Sequence, residues 1–246
     1  MKKDTFRVMR NLTLAVACMT LPLASSALAQ TPPQNDVDTR QSPTLVFEDG
    51  TLVLSRTDGE TILLERENDR ALMKFDSDPE VWALSITPGP GNTELFKNDS
   101  ERLFLRLTER GNLSLYTTDY PGEPLDVRPA DASFDPPDLQ SDDFTDRLSD
   151  YLTIRIGHKI IVRIDSPTED DLVWMQEAAT IVVKGIIKSE DHVDHITEVR
   201  ILPGNVPDFK LNRQGVFTAY VNPDKGYAGR SSSDRVILFL KNRFNN

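Results

Sequence analysis

Residues 51–75 read TLVLSRTDGETILLERENDRALMKF. Three short runs rich in Leu, Ile and Val are separated by Thr57-Asp58-Gly59 and Glu67-Asn68-Asp69. Gly and Asn tolerate positive φ, so these punctuations between β-forming runs predict tight turns between antiparallel strands. The rhythm continues on both sides. TLVFE (44–48) ends at Asp49-Gly50, and VWALSIT (81–87) ends at Pro88-Gly89-Pro90-Gly91. TELFK (93–97), RLFLRLTE (102–109) and NLSLYTT (112–118) follow, the last two meeting at Arg110-Gly111. Runs recur about every ten residues, which predicts an antiparallel β-meander of up to about eight strands over residues 43–120. Outer-membrane strands need roughly 9–11 residues and an uncharged lipid face. These runs are shorter and carry Glu65-Arg66 and Arg106. The expectation is a soluble sheet or small barrel.

Residues 121–138, PGEPLDVRPADASFDPPD, hold five prolines and read as a linker. Beyond it the pattern changes to α-β-α-β-β-β over residues 139–246. Leu139 to Leu152 predicts a short helix, with Ser141 as its cap and Phe144, Leu148, Tyr151 and Leu152 on one face. Residues 153–164 alternate, with Ile154, Ile156, His158, Ile160, Val162 and Ile164 on one side, which predicts a strand. Ser166-Pro167-Thr168-Glu169 then reads as a capping box, with Ser166 as the cap of a buried helix reaching about Lys188. HITEVRIL, PDFKLNR, VFTAYVN and RVILFLKN read as the closing strands. The fold class is therefore α+β and β-rich: an N-terminal antiparallel β-meander followed by a C-terminal α-β-α-β-β-β module.

The first 29 residues read as an address. Lys2, Lys3, Arg7 and Arg10 precede a short apolar run broken by Pro22, and Ala27-Leu28-Ala29 closes it. This is the pattern of a secretory signal peptide cleaved after Ala29, with a polar, flexible leader at 30–42. Cys18, the chain's one cysteine, lacks the Leu three residues upstream that a lipoprotein signal would carry. Cleavage after Ala29 would leave no thiol, hence no disulfide, thiol nucleophile or thiolate metal site. It would also leave 24 basic residues against 38 acidic, a net charge of −14. Such a surface repels phosphate backbones and anionic membranes, so nucleic-acid binding is not expected. After cleavage no integral membrane span remains, and the partner is an envelope protein or a small molecule of unassigned identity.

Several residues carry chemistry in principle. Asp191-His192-Val193-Asp194-His195 offers imidazole and carboxylate, and His192 and His195 would share a helix face. A polar connector is the competing reading, because no third ligand stands at a characteristic spacing. His158 interrupts an apolar face, as a base of lowered pKa or as a satisfied core residue. Residues 226–235, GYAGRSSSDR, form a Gly- and Ser-rich loop in which Arg230 or Arg235 could hold a carboxylate or phosphate, or pair with a neighbouring acid. Asp142, Asp143, Asp146 and Asp150 lack EF-hand order and read as a solvated helix face. No G-x-S-x-G, S-x-x-K or H-E-x-x-H motif is present.

LFLRLTERGNLSLYTTDYPGEP (103–124) and YAGRSSSDRVI (227–237) resemble a family of uncharacterised exported alphaproteobacterial proteins. The resemblance implies a periplasmic location and carries no activity. Together these readings lead to the expectation of a non-catalytic binding or interaction module of the cell envelope, with no cofactor and no assigned site residues. The alternative is a hydrolase or metal-dependent enzyme using His192 and His195, or the Arg230 loop.

Overall fold

The computed structural model describes residues 49–118, 121–165, 168–189 and 193–244. The signal peptide, the leader, Cys18, the TLVFE run, Ser166-Pro167 and His192 lie outside the described residues. The described part falls within one compact unit. Among the described residues no helix is long and apolar enough to cross a membrane.

The meander forms as the turn chemistry predicts. β1 (Gly50–Ser55), β2 (Thr61–Glu67), β3 (Arg70–Phe75), β4 (Val81–Gly89), β5 (Thr93–Lys97), β6 (Leu103–Leu107) and β7 (Leu113–Tyr116) pair antiparallel in sequence order. Paired positions share a face of the sheet. Leu64 faces Met73 and Met73 faces Trp82, while Phe96 faces Leu105 and Leu105 faces Leu115. All of these are buried and pack into one core.

Residues 121–129, within the stretch read as a linker, are structured. β8 (Pro121–Pro124) pairs with β7 and β9 (Asp126–Pro129) pairs with β1, at opposite ends of the strand order. Only Leu125 separates β8 from β9, so the nine-stranded sheet closes on itself as a barrel. Closure removes the exposed edges of an open meander. Glu123 fastens it, accepting from Arg56 Nε at 3.1 Å and Thr57 Oγ1 at 2.7 Å. The prolines are tolerated because they stand at strand ends, where no ladder bond is required of them.

The second half is a four-stranded sheet ordered β10-β11-β13-β12 with helices packed on it. β10 (Ile161–Ile164), β11 (Glu198–Pro203) and β13 (Val216–Val221) are parallel, and β12 (Asp208–Leu211) is antiparallel to β13. α2 (Glu169–Lys188) is the crossover between β10 and β11. Its cap is Thr168, whose hydroxyl accepts from Asp171 N at 3.1 Å, two residues later than the predicted Ser166.

Two elements differ in type from the sequence reading. α1 spans Phe144–Ile156, so the first third of the strand predicted over 153–164 is helix and only Ile161–Ile164 is strand. Gly157, at φ 89°, ends the helix in the left-handed conformation, and its N–H donates to Thr153 O at 2.9 Å. Ile154, placed in the core by alternation, is 78% exposed. The helix wins because Leu148, Leu152 and Ile156 recur at four-residue spacing and pack on the core. α1 also covers the open edge of β10. Ser149 Oγ accepts from Val162 N at 2.8 Å and Thr153 Oγ1 from Ile160 N at 3.1 Å. RVILFLKN likewise belongs to a helix, α3 (Ser233–Phe244). Val236 and Leu240 are fully buried, and Phe239 packs against Phe209 and Phe217 at 5.5 and 5.7 Å. The module thus ends in a helix that alternation mistook for a strand.

Candidate functional site

The Arg230–Arg235 segment connects the 3₁₀ segment Pro223–Gly229 to α3. It does not sit in open solvent as a loop waiting for an anion. Arg230, Ser231, Ser232 and Ser233 are all buried. The anions that meet its serines are carboxylates of the barrel. Ser233 N donates to Glu80 Oε1 at 2.9 Å and its hydroxyl to Glu80 Oε2 at 2.7 Å. Ser232 N donates to Asp99 Oδ2 at 3.0 Å, and its hydroxyl bonds the other oxygen. Two acids therefore occupy the positive end of α3, where backbone N–H groups point outward unpaired.

The loops that supply these acids close the same end of the barrel. The β3–β4 loop carries Asp78 and Glu80, and the β5–β6 loop carries Asn98 and Asp99. Asn98 Oδ1 accepts from Ser100 N and Arg102 N at 3.0 Å each, which fixes the second loop. Its Nδ2 donates to Asp234 at 3.1 Å, and Arg102 reaches the same carboxylate at 2.9 Å. From α2, Lys184 Nζ donates to Asp78 Oδ1 at 2.5 Å and to Glu80 Oε2 at 2.9 Å. Arg230 Nη2 donates to the Val81 carbonyl at 2.9 Å and to Glu177 at 2.8 Å. The seam between barrel and module is thus a charged network.

Its titration follows from burial and partners. Burial works against the charge on Asp78, yet the Lys184 bond, a backbone N–H and the nearby Lys188 hold its carboxyl below the usual range. Burial pushes Asp99 above that range, against the opposing Ser232 bonds and the more distant Arg235 and Arg230. Arg235 lies 3.9 Å from Asp99, too far for a tight bridge.

What stays open is a cleft between the outer barrel wall and the 3₁₀ segment. It has two adjoining compartments, of 290 Å³ and 340 Å³, which share Arg70, Ala83 and Tyr227. The larger is walled by Leu72, Phe134, Pro136 and Trp174. Tyr227 stands at its centre, edge-on to Trp174 at 5.1 Å and to Phe134 at 6.3 Å. The Tyr227 hydroxyl donates to the Asp135 carbonyl at 2.8 Å. Burial, then Glu177, raises its pKa, so it stays a neutral donor. Gly229 is required here. A Cβ would lie 1.8 Å from Asn222 O, across the bond from Asn222 N to Gly229 O that closes the segment.

The remaining sequence candidates are dispersed. His195 is exposed and lies against Phe244 at 5.8 Å, away from the seam residues. Its proposed companion His192 is outside the described residues. His158 Nε2 is 2.8 Å from the Ile196 carbonyl, tying α1's exit to the connection that leads into β11. Asp143 pairs with Arg147 at 3.3 Å on the solvent face of α1. Among the described residues, no three His, Cys, Asp or Glu side chains gather as a metal-holding group. Glu80 and Asp99 were not legible as partners of the Ser-rich loop, nor Lys184 as the partner of Asp78 and Glu80, since contacts across more than 100 residues leave no local signal. Trp174, a large aromatic off the main apolar stripe of α2, was the one available hint of the cleft.

Comparison with curated proteins gives no match, and comparison with solved structures gives none either. A family model covers residues 46–240, spanning the barrel, the seam and the first two thirds of α3. The chain belongs to the family described as "Domain of unknown function (DUF4908)".

Proposed function

We propose that the chain is an exported, periplasmic, non-catalytic interaction module of the cell envelope. One observation carries the reading. The segment with the most ligand-like composition, Arg230–Asp234, commits the amides and hydroxyls of Ser232 and Ser233 to Asp99 and Glu80, and the Arg230 guanidinium to Glu177. A segment so engaged is a structural joint rather than a reaction centre. It fixes two β-rich bodies together and leaves a shaped cleft beside the joint. The basic, apolar and small-residue succession of residues 1–29 supports export.

Two measurements on cells expressing the tagged chain test this. The mature N-terminus is expected at Gln30, in the periplasmic fraction. A photo-crosslinking residue at Ala228, on the cleft wall, is expected to capture a defined envelope component. Cytosolic protein with an intact leader refutes the location. A turnover-dependent product formed by the purified protein, and lost with Arg230→Ala, refutes the non-catalytic role.

A further inference from the structure

The two compartments of the cleft differ in chemistry. The smaller is lined by Arg70, Lys97, Arg230 and Arg235 against the carboxylates Asp99 and Glu101. Both acids are already answered. Asp99 accepts from Ser232 N at 3.0 Å, and Glu101 pairs with Lys97 at 3.3 Å. The cations are less well matched. Among the described residues, the acid near the Arg235 guanidinium is Asp99, at 3.9 Å. Arg230, 6% exposed, is paired with Glu177 at 2.8 Å, while its Nε finds no acceptor among the described residues. Arg70 is exposed and lines both compartments at their junction. In a chain of net charge −11 this is a local concentration of positive charge. The larger compartment presents flat faces and edges of Trp174, Tyr227 and Phe134 beside Leu72 and Ala83. Its acids do not favour a cation. Glu65 is engaged by Phe134 N at 3.0 Å, and Glu67 stands beside Arg70 and Lys225 on the same lining.

We propose that this cleft binds a small amphiphilic organic anion. Its carboxylate or sulfonate head is held by Arg70 and Arg235, and its aromatic body lies between Ala83 and the Trp174–Tyr227–Phe134 cluster. Arg forks suit such oxyanions, and aromatic rings supply area with few rotamers to order. A pocket of a few hundred Å³ with mixed apolar walls and a few convergent donors is of the usual ligand-binding size. The inference rests on the chain being a binding module, and it names the ligand class of that module's open site.

The test uses the mature chain and two fluorescent probes of one shape. 8-Anilino-1-naphthalenesulfonate carries an anionic head, and N-phenyl-1-naphthylamine is the same body without it. One-to-one saturable binding of the sulfonate is expected, about tenfold tighter than the neutral probe, since one charge-assisted bond is worth about that factor. Arg70→Ala should abolish that preference and leave the neutral probe unchanged. Ala83→Phe, which fills the cleft while leaving every polar contact in place, should block both probes. Thermal melting confirms that each variant is folded. Equal affinity for the two probes, or binding that survives Ala83→Phe, overturns the proposal. Absence of saturable sulfonate binding overturns it as well. That failure is distinct from failure of the parent reading, because crosslinking at Ala228 to an envelope component would persist without any anion site.

Discussion

Glu80 is the side chain on which the seam most depends. It is fully buried and accepts three bonds: from Lys184 Nζ at 2.9 Å, Ser233 N at 2.9 Å and Ser233 Oγ at 2.7 Å. Glu80→Ala removes the acceptor for a buried N–H and hydroxyl at once. Lys184 is not orphaned, because both oxygens of Asp78 still hold it, at 2.5 and 2.7 Å. The loss is therefore that of a broken buried pair, about 3–5 kcal/mol, toward the lower end because one partner is rescued. At about 2–4 °C per kcal/mol for a body of this size, the melting midpoint should fall by about 10 °C. Glu80→Gln keeps an oxygen for Ser233 N but puts an NH2 where Oε2 accepted from Ser233 Oγ and Lys184 Nζ; the Ser233 hydroxyl can turn to accept and Asp78 still holds Lys184, so a smaller loss than that of Glu80→Ala is expected. Urea unfolding followed by tryptophan fluorescence reads both variants. Trp82 is a suitable reporter, with its ring 4.9 Å from Phe104 and 5.9 Å from Lys184 Nζ. If the seam couples the two cores, Glu80→Ala should also lower the slope of the transition, as barrel and module begin to unfold separately. A loss under about 1 kcal/mol with an unchanged slope would refute the seam as the coupling element.

Other perturbations have opposite signs in neighbouring places. Gly185→Ala would raise intrinsic helix propensity in α2, yet a Cβ there meets Val236 Cβ at 2.6 Å and Ser233 O at 2.9 Å; a net loss of about 1–3 kcal/mol is expected by chemical denaturation. Glu101 adopts φ 63° in an exposed turn, so Glu101→Gly should stabilise by about 0.5–1 kcal/mol despite losing the Lys97 pair. Ser149→Ala leaves Val162 N on the β10 edge without its acceptor; about 1 kcal/mol of stability and the hydrogen-exchange protection of that amide should be lost. The pH dependence divides between two aspartates with ordinary values of 3.8. Burial raises Asp99, so its ionised form works against folding at neutral pH. Wild-type stability relative to Asp99→Asn should therefore grow as pH falls through the raised value. Asp78 is lowered by Lys184, so its advantage over Asp78→Asn is present above 3.8 and is lost as pH falls through the lower folded value. Denaturation titrations between about pH 3 and 7 separate the two trends.

The barrel was legible because its information is local. Asp58-Gly59, Asn68-Asp69 and Arg110-Gly111 each specify a turn, and the runs between them alternate cleanly. The closure was not, since Pro121, Pro124 and Pro129 read as punctuation when taken one at a time. Nothing within 121–129 announces that β1, about seventy residues upstream, offers β9 a partner edge. The second half failed where two periods fit the same residues. Residues 153–156 satisfy both alternation and the i, i+4 series from Leu148, and Gly157 was the deciding signal. For α3, Val236, Phe239 and Leu240 keep helical spacing inside a run of apolar residues that also resembles a strand. The site divides in the same way. Arg230 and its serines were singled out by composition, and pairing with a nearby acid was one of the two readings weighed. Which acids, and that a cleft would open beside them, depended on the folded geometry of loops far apart in the chain.

The chemistry of the seam bears on how the cleft keeps its shape. The two apolar cores are separate clusters, one inside the barrel and one in the module. Had they met through an apolar face, sliding would cost little, because apolar contact has no preferred direction. Here the contacts of Glu80, Asp99, Asp234 and Arg230 across the seam are hydrogen bonds, each with its own distance and angle, and burial screens them less from salt than surface pairs are screened. Arg230 converts that fixed orientation into cleft geometry. It binds the Val81 carbonyl on the barrel and Glu177 on α2, and its guanidinium lies 5.8 Å from the Tyr227 ring. The residue that looked like a ligand hook therefore acts as a strut, holding the aromatic wall at a set distance from Ala83. Both bonds start from Nη2, and a lysine side chain is one bond shorter, so Arg230→Lys retains the charge but draws the donor nitrogen back from the position that serves both acceptors. The probe-binding cleft should then loosen while the barrel core around Leu64, Phe96 and Leu115 keeps its hydrogen-exchange protection. Equal loss of protection in both places would show that the strut supports the whole fold rather than the cleft.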